Sequence, residues 1–289
     1  MKNIRRNWSD QNRWTSPGLL KFSILGIVII IVISWVNILS GDSGFSDLFR
    51  SQTWARAFRF LQDLTGYNND KTPAFLDVDR WIETGKLAYQ TLAMSVLSIS
   101  MAGLFCLLTF LPGARNLSDG DTVPGWPRFL GIIYLPLRLF FVVTRSIPEL
   151  IVAMIVIFFI SPGILAGAIA LALHNYGILS KLAAEIVENM DIGPIRAMKS
   201  SGSSPVQALV YGIIPLFLPQ FLTYLTYRWE VVIRTTIVIG FVIAGGLGRE
   251  FRLDMHLFRY TDVFLILLWY LILVMMVDLV SSRLRRLAQ

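Results

Sequence analysis

The hydrophobic positions of this chain come in long blocks rather than in alternation. Phe22 to Leu39 (FSILGIVIIIVISWVNIL) contains no charged residue. A second block covers about Ala88 to Leu111 and ends at Pro112, Gly113 and Arg115. A third runs from Phe129 to Ile160 and is broken by Pro136 and Pro148. A fourth begins near Ile164 and fades past Leu182, a fifth covers about Ala208 to Tyr227, and a sixth occupies Val263 to Val280. A helix needs about 20 apolar residues to cross the hydrocarbon core of a bilayer, so these blocks predict membrane-spanning helices. The third block is too long for one straight span. Phe129 to Val143 is read as a shallow or kinked entry segment and Ser146 to Ile160 as the crossing proper.

Charge sets the orientation. Lys2, Arg5, Arg6 and Arg13 precede the first block, and Arg283, Arg285 and Arg286 follow the last. Basic residues at span ends mark the cytoplasmic side, so both termini are expected there and the number of crossings is even. About six spans satisfy this. The basic start of the chain resembles a signal peptide, but its apolar core is too long and no small-residue cleavage site follows, so residues 22–40 are read as a retained anchor. Residues 1–21 form a cytoplasmic tail and residues 41–85 an outward-facing insertion. The insertion carries Trp54, Phe58, Phe60 and Trp81, and its WARAFRFLQDL stretch predicts an amphipathic helix at the lipid surface, with Pro73 breaking the run.

Composition narrows the function classes. Apolar residues make up 55% of the chain and charged residues 16%, against roughly 25% charged in a soluble domain. The net charge of +7 sits at block ends rather than in a stripe, which excludes a nucleic-acid partner. Cys106 lies alone in an apolar block, and His174 and His256 are scattered, so no disulfide framework and no metal site is expected. No G-x-x-x-x-G-K-[ST] loop, H-E-x-x-H motif or nucleophile–base set is present. A chain without them is expected to transport rather than catalyse.

The loop between the fourth and fifth blocks, residues 187–205, is the most informative stretch. Asp191 to Gly193 is a turn signal and Pro194 suits the first turn of a helix. Ile195 to Ser201 predicts a short helix stopped at Gly202, which is free to take left-handed dihedrals. A second helix starts after Ser204 with Pro205 at its beginning. Short helix, glycine bend and long helix together present a rigid knob beside the membrane.

These residues resemble the coupling loop of type I ABC importer permeases: E-A-A, three residues, Gly, nine residues, I-x-L-P. Ala197 stands at the first alanine, Gly202 at the glycine and Pro215 at the proline, with Arg196, Met198, Gly212 and Ile214 replacing the usual Glu, Ala, Ile and Leu. Three further segments resemble the phosphonate and phosphite branch of that family. They are Arg145-Ser-Ile-Pro-Glu-Leu150; Arg228-Trp-Glu-Val-Val-Ile-Arg234 continuing to Ile239–Gly248; and Thr91-Leu92 with Ala114-Arg115-Asn116 at the ends of the second block. Val232 replaces a usual Asn and Ile243 a usual Gly.

The resemblance covers roughly Gln90 to Ala288. It implies an all-α integral membrane protein whose five-helix permease core, residues 86–289, is preceded by one anchor helix. It also implies a bacterial inner-membrane location, a second copy of the chain as partner, two cytoplasmic ATPases that bind the ATP and Mg, and an outer binding protein. No cofactor is expected in this chain itself.

The resemblance implies that Arg196, Ala197, Met198, Lys199, Gly202 and Pro215 couple to the ATPase. Charges at membrane depth are costly and therefore usually functional. Arg145 with Glu149, and Glu230 with Arg234, have the spacing of pairs on one helical face, and guanidinium groups suit oxyanions. Each pair either lines the path or only stabilises its own helix end. Thr235 and Thr236 offer hydroxyl contacts. Gly240, Gly245 and Gly246 permit close helix packing or a bent backbone lining a pore. The run after Arg234 is read as a re-entrant or gating helix closing the outer end of the path. The expected cargo is a phosphorus oxyanion (phosphonate, phosphite or phosphate); a permease for another solute such as methionine, and a non-transporting scaffold, are the alternatives.

Overall fold

The computed structural model describes residues 17–40, 44–67, 72–118, 129–243 and 245–288. The basic N-terminal tail and Ala244 lie outside the described residues. Among the described residues the regular elements are all helical, and the principal ones are α1 (Pro17–Ser40), α2 (Ser51–Thr65), α3 (Val78–Gly113), α4 (Phe129–Ser146), α5 (Glu149–Val156), α6 (Ile164–Glu188), α7 (Gly193–Ser200), α8 (Ile214–Ile243), α9 (Gly246–His256) and α10 (Tyr260–Ala288). Among the described residues five helices are long and apolar enough to cross a membrane, and α4 with α5, bent at 96°, makes a sixth when the pair is counted as one broken span.

Residues 1–62 and 63–289 form two compact units. In the first, α1 is apolar on every side with its large side chains exposed, as a helix whose solvent is lipid should be. Trp35 meets Phe45 edge-on, and Arg50 pairs with Asp47 at 2.9 Å. The helix expected from WARAFRFLQDL is present. Trp54, Phe58 and Leu61 recur one turn apart and are all exposed, while Arg56 and Arg59 fall on the opposite flank, which is the pattern of a helix lying in a lipid interface.

In the second unit three expectations change. The second span begins not at Ala88 but at Val78, because the Asp77 carboxylate caps the helix by accepting from the Asp79 amide at 3.0 Å. Residues 78–85, assigned to the insertion, are therefore its first turns. The third block divides the other way round. At 1.5 Å per residue, the 18 residues of α4 reach about 27 Å and the 8 residues of α5 only about 12 Å, so the expected entry segment is the longer arm and the expected crossing the shorter. The chain bends at Pro148, which lacks an amide donor and disfavours helical dihedrals at Ile147.

The third change concerns the stretch after Arg234. Up to Ile243 it is not a separate helix; a separate short helix begins only at Gly246. A single turn (Pro205–Gln207) and a π-helical turn (Ala208–Ile213) lead into the 30-residue α8, which runs through Glu230 and Arg234 to Ile243. Those charges do not interrupt the helix because each finds its counter-charge on α10.

The bundle is centred on α6, the most buried of the spans. Lipid tails are as apolar as the side chains, so helices here associate by close packing and hydrogen bonding rather than by burial from water. Small residues make this possible: Ala166, Gly167, Ala168, Ala170, Ala172, Gly177, Ala183 and Ala184 are buried on α6. At Gly177 an added methyl would fall 2.8 Å from the Phe141 carbonyl and 3.0 Å from the Arg145 amide, so the α4 backbone lies directly on it. Phe110, Phe217 and Phe221 stack in sequence, with centroids 4.2 and 5.2 Å apart, and tie α3 to α8.

The two ends of the bundle are separately fastened. At one end Glu188 accepts from the Arg115 amide at 2.8 Å and from the Arg138 guanidinium, while Asn116 donates to the Val187 carbonyl at 2.9 Å. At the other end the Thr91 hydroxyl accepts from the Leu247 amide at 2.9 Å, and Arg80 approaches Asp262 at 3.9 Å.

Candidate functional site

Two places stand out, one on the loop after α6 and one at mid-bundle. The loop folds as a knob. Pro194 occupies the first turn of α7 and the Asp191 carboxylate accepts from the Gly193 amide at 2.9 Å. At the far end, Gly202 takes φ +85°. Its amide donates to the Lys199 carbonyl at 2.9 Å and the Ser203 amide to the Met198 carbonyl at 3.2 Å, the paired bonds of a Schellman cap. Ser204 and Gln207 then close a reciprocal capping box that starts the next helix. Every turn of this loop is held by hydrogen bonds, so the knob is stiff.

One face of the knob is anchored and the other is free of the bundle. Ile195 is 1% exposed and sits on Gly212, where an added methyl would come within 3.3 Å of it. Arg196, Ala197, Gly202 and Pro215 are exposed, and Met198 and Lys199 are half-buried. The sequence reading marked the exposed face and missed Ile195, the residue that fixes it. Its signal was available: Ile195 and Met198 are the large apolar side chains of this helix, one turn apart.

At mid-bundle the predicted charge pairs do not form. Arg145 ends α4 and Glu149 starts α5, and the 96° bend between them removes the shared helical face that spacing alone implied. Glu149 instead lies 3.5 Å from Nε2 of His174. Nδ1 of the same ring lies 3.0 Å from the Ile147 carbonyl; since a carbonyl only accepts, Nδ1 donates. His174 thereby satisfies a backbone group freed by the break, as membrane-depth irregularity requires. Arg234 and Glu230 also part company. Arg234 reaches both Asp278 oxygens at 3.1 and 3.2 Å, and Glu230 accepts from Arg285. A pair within one helix competes here with partners on α10, and the helix–helix pairs prevail.

The residues that do converge were not joined by the sequence, which set His174 aside as a metal ligand and did not single out Asn175. Asn175 is 1% exposed, and its side-chain oxygen accepts from Arg228 through Nε at 3.0 Å and Nη2 at 2.6 Å. Its own amide returns to the Leu171 carbonyl at 2.7 Å. His174 and Asn175 are neighbours near the middle of α6, and Arg228 is near the middle of α8. Arg228 was visible as the first residue of a motif, but nothing in spacing links it to Asn175.

The remaining predicted residues have packing roles. Thr236 is buried and donates to the Ile233 carbonyl at 2.6 Å, and Thr235 donates to Val232 at 3.2 Å, so both hydroxyls are satisfied on their own helix. Between the two readings of the glycine run, close packing and a bend are what the structure holds. A methyl on Gly240 would meet the Gly245 carbonyl at 2.7 Å, and Gly246, at φ +61°, lies on Thr91.

At the bundle end near Tyr260 one ionisable group is strongly perturbed. Asp254, on the short helix α9 outside the spans, is pushed up to about 6, first by burial and then by the carboxylates of Asp262 and Glu250; Arg259 and Arg80 oppose the shift. Arg259 approaches it to only 3.7 Å.

Known proteins place this architecture. Residues 128–289 match the family described as binding-protein-dependent transport system inner membrane component. The chain is 35% identical over 214 residues to the phosphite transport system permease protein PtxC of Stutzerimonas stutzeri, covering 74% of this chain and 73% of that one. It is 39% identical over 141 residues to the putative phosphite transport system permease protein HtxE of the same organism, covering 49% and 54%. Against the phosphate-import permease protein PhnE of Mycolicibacterium smegmatis the identity is 28% over 202 residues, 70% of this chain and 36% of that protein. In fold the chain is similar to a MetNI methionine ABC transporter chain in an inward-facing conformation, with a TM-score of 0.61 at 21% identity, covering 71% of this chain and 95% of that one. A multi-pass bundle with a stiff loop knob, sharing sequence and fold with such proteins, has one assignment: the chain belongs to the binding-protein-dependent transport system inner membrane components, as a permease of the type I ABC importer class.

Proposed function

We propose that this chain forms the translocation path of an ATP-driven importer for a phosphorus oxyanion: phosphonate, phosphite or phosphate. The observation that carries the coupling half of this reading is the knob at α7. A helix anchored by Ile195, capped at both ends and exposed along Arg196 and Ala197, transmits a push without absorbing it. Its motor is a separate chain, a cytoplasmic ATPase that binds ATP and Mg, while this chain hydrolyses nothing. Two permease copies, two ATPases and an outer binding protein complete the machine. The knob and both termini then face the cytoplasm of a bacterium, and α9 with the α3 start faces outward.

The substrate class rests on the phosphite and phosphate permeases among the relatives, together with guanidinium groups at membrane depth, which favour anions over a zwitterion such as methionine. The test is reconstitution of the chain with its ATPase and binding protein in vesicles. ATP-dependent uptake of labelled phosphite, methylphosphonate or phosphate, with ATP hydrolysis stimulated by the loaded binding protein, is expected. Uptake of methionine instead would overturn the substrate, and absence of any ATPase association would leave only a scaffold.

A further inference from the structure

Several charges within the spans are neutralised by a partner on another helix. Arg234 has Asp278, Glu230 has Arg285 and Arg138 has Glu188. Arg228 breaks the pattern. Its two hydrogen bonds both go to the neutral Asn175 amide, and among the described residues no carboxylate lies within ion-pair distance of it. The acidic group whose field reaches Arg228 is Glu149, and Glu149 makes its own close contact with His174. An unpaired guanidinium at membrane depth is costly. A buried amide that grips two of its donors from one side, while leaving the side chain partly open, orients the charge without cancelling it.

We propose that Arg228, held by Asn175, is an anion-binding station at the middle of the membrane, taking a small tetrahedral oxyanion as its missing counter-charge. Nε and Nη2 are occupied by Asn175, so Nη1 and the second hydrogen of Nη2 are the donors left for the ligand. The His174–Glu149 pair borders the station on the same turn of α6. Asn175 is a positioning residue: an amide accepts from Arg228 as a carboxylate would, but adds no negative charge to repel the ligand. The neutral amide is what distinguishes a station from a structural salt bridge.

This inference rests on the oxyanion reading above, and the experiment separates the two. The full importer in vesicles is assayed for uptake of phosphite and methylphosphonate and for ATP hydrolysis stimulated by the loaded binding protein. Asn175→Asp keeps Arg228 and the hydrogen bonds but supplies an internal counter-charge. It is expected to lower uptake at least about tenfold, the scale of one lost charged hydrogen bond, while thermal stability holds or rises and ATPase stimulation persists. Arg228→Gln should lose uptake likewise, and Arg228→Lys, which keeps the charge without the fork, should fall between. Wild-type uptake in Asn175→Asp overturns the station even if Arg228→Gln fails to assemble. Joint loss of uptake and ATPase stimulation in an assembled Asn175→Asp complex overturns it too, because that is the mark of a structural role. If the wild-type importer takes up neither oxyanion, the substrate reading falls and the station with it.

Discussion

Gly202 offers the sharpest test of the coupling knob. It sits at φ +85°, and a methyl added there would meet nothing within 4 Å. A substitution therefore carries a conformational cost with no steric one. An L-residue with a Cβ pays roughly 1–2 kcal/mol to enter the left-handed region, while Asn enters it more readily because its short polar side chain bonds locally. Gly202→Ala should reduce the population of the capped knob by a factor of about 5–30. Gly202→Asn should cost visibly less and Gly202→Val more, since β-branched residues are true outliers at positive φ. In reconstituted importer, stimulated ATP hydrolysis and uptake should decline in the order Gly, Asn, Ala, Val, while the basal hydrolysis of the ATPase stays level. Equal loss for Asn and Ala, or wild-type coupling in Val, would refute the claim that the Schellman cap holds the knob.

Two further expectations follow from packing and from burial. Gly248→Ala drives a methyl into the Ile237 carbonyl and to 2.8 Å from the Gly240 Cα; at about 1–3 kcal/mol for overpacking and about 2–4 °C per kcal/mol in a chain of this size, the melting temperature should fall several degrees, and an unchanged value would disprove the close approach of α8 and α9. Asp254, pushed up from 3.8 to about 6, holds a proton in the folded chain that the unfolded chain has released between those two pH values. Stability should therefore fall as pH rises through that window and stay lower above it. Asp254→Asn should flatten the melting-temperature profile and gain most above pH 6, whereas a parallel profile would show that another group titrates.

The sequence by itself determined the solvent, the helices and the knob. Uninterrupted runs such as Phe22–Leu39 admit no fold but spanning helices, since lipid leaves backbone groups no partner outside the helix. Pro194, Gly202 and Ser204 mark the knob because caps are local chemistry, readable within a few residues. Across the bundle that legibility ends. Spacing put Arg145 with Glu149 and Glu230 with Arg234, and it hid Asn175 and Arg228, which lie 53 residues apart on different helices. Only the tertiary structure decided those partners, because in a medium with no competing water a charge settles with whatever counter-group the packing brings nearest, and packing is set by small residues such as Gly177 that carry no charge signal of their own.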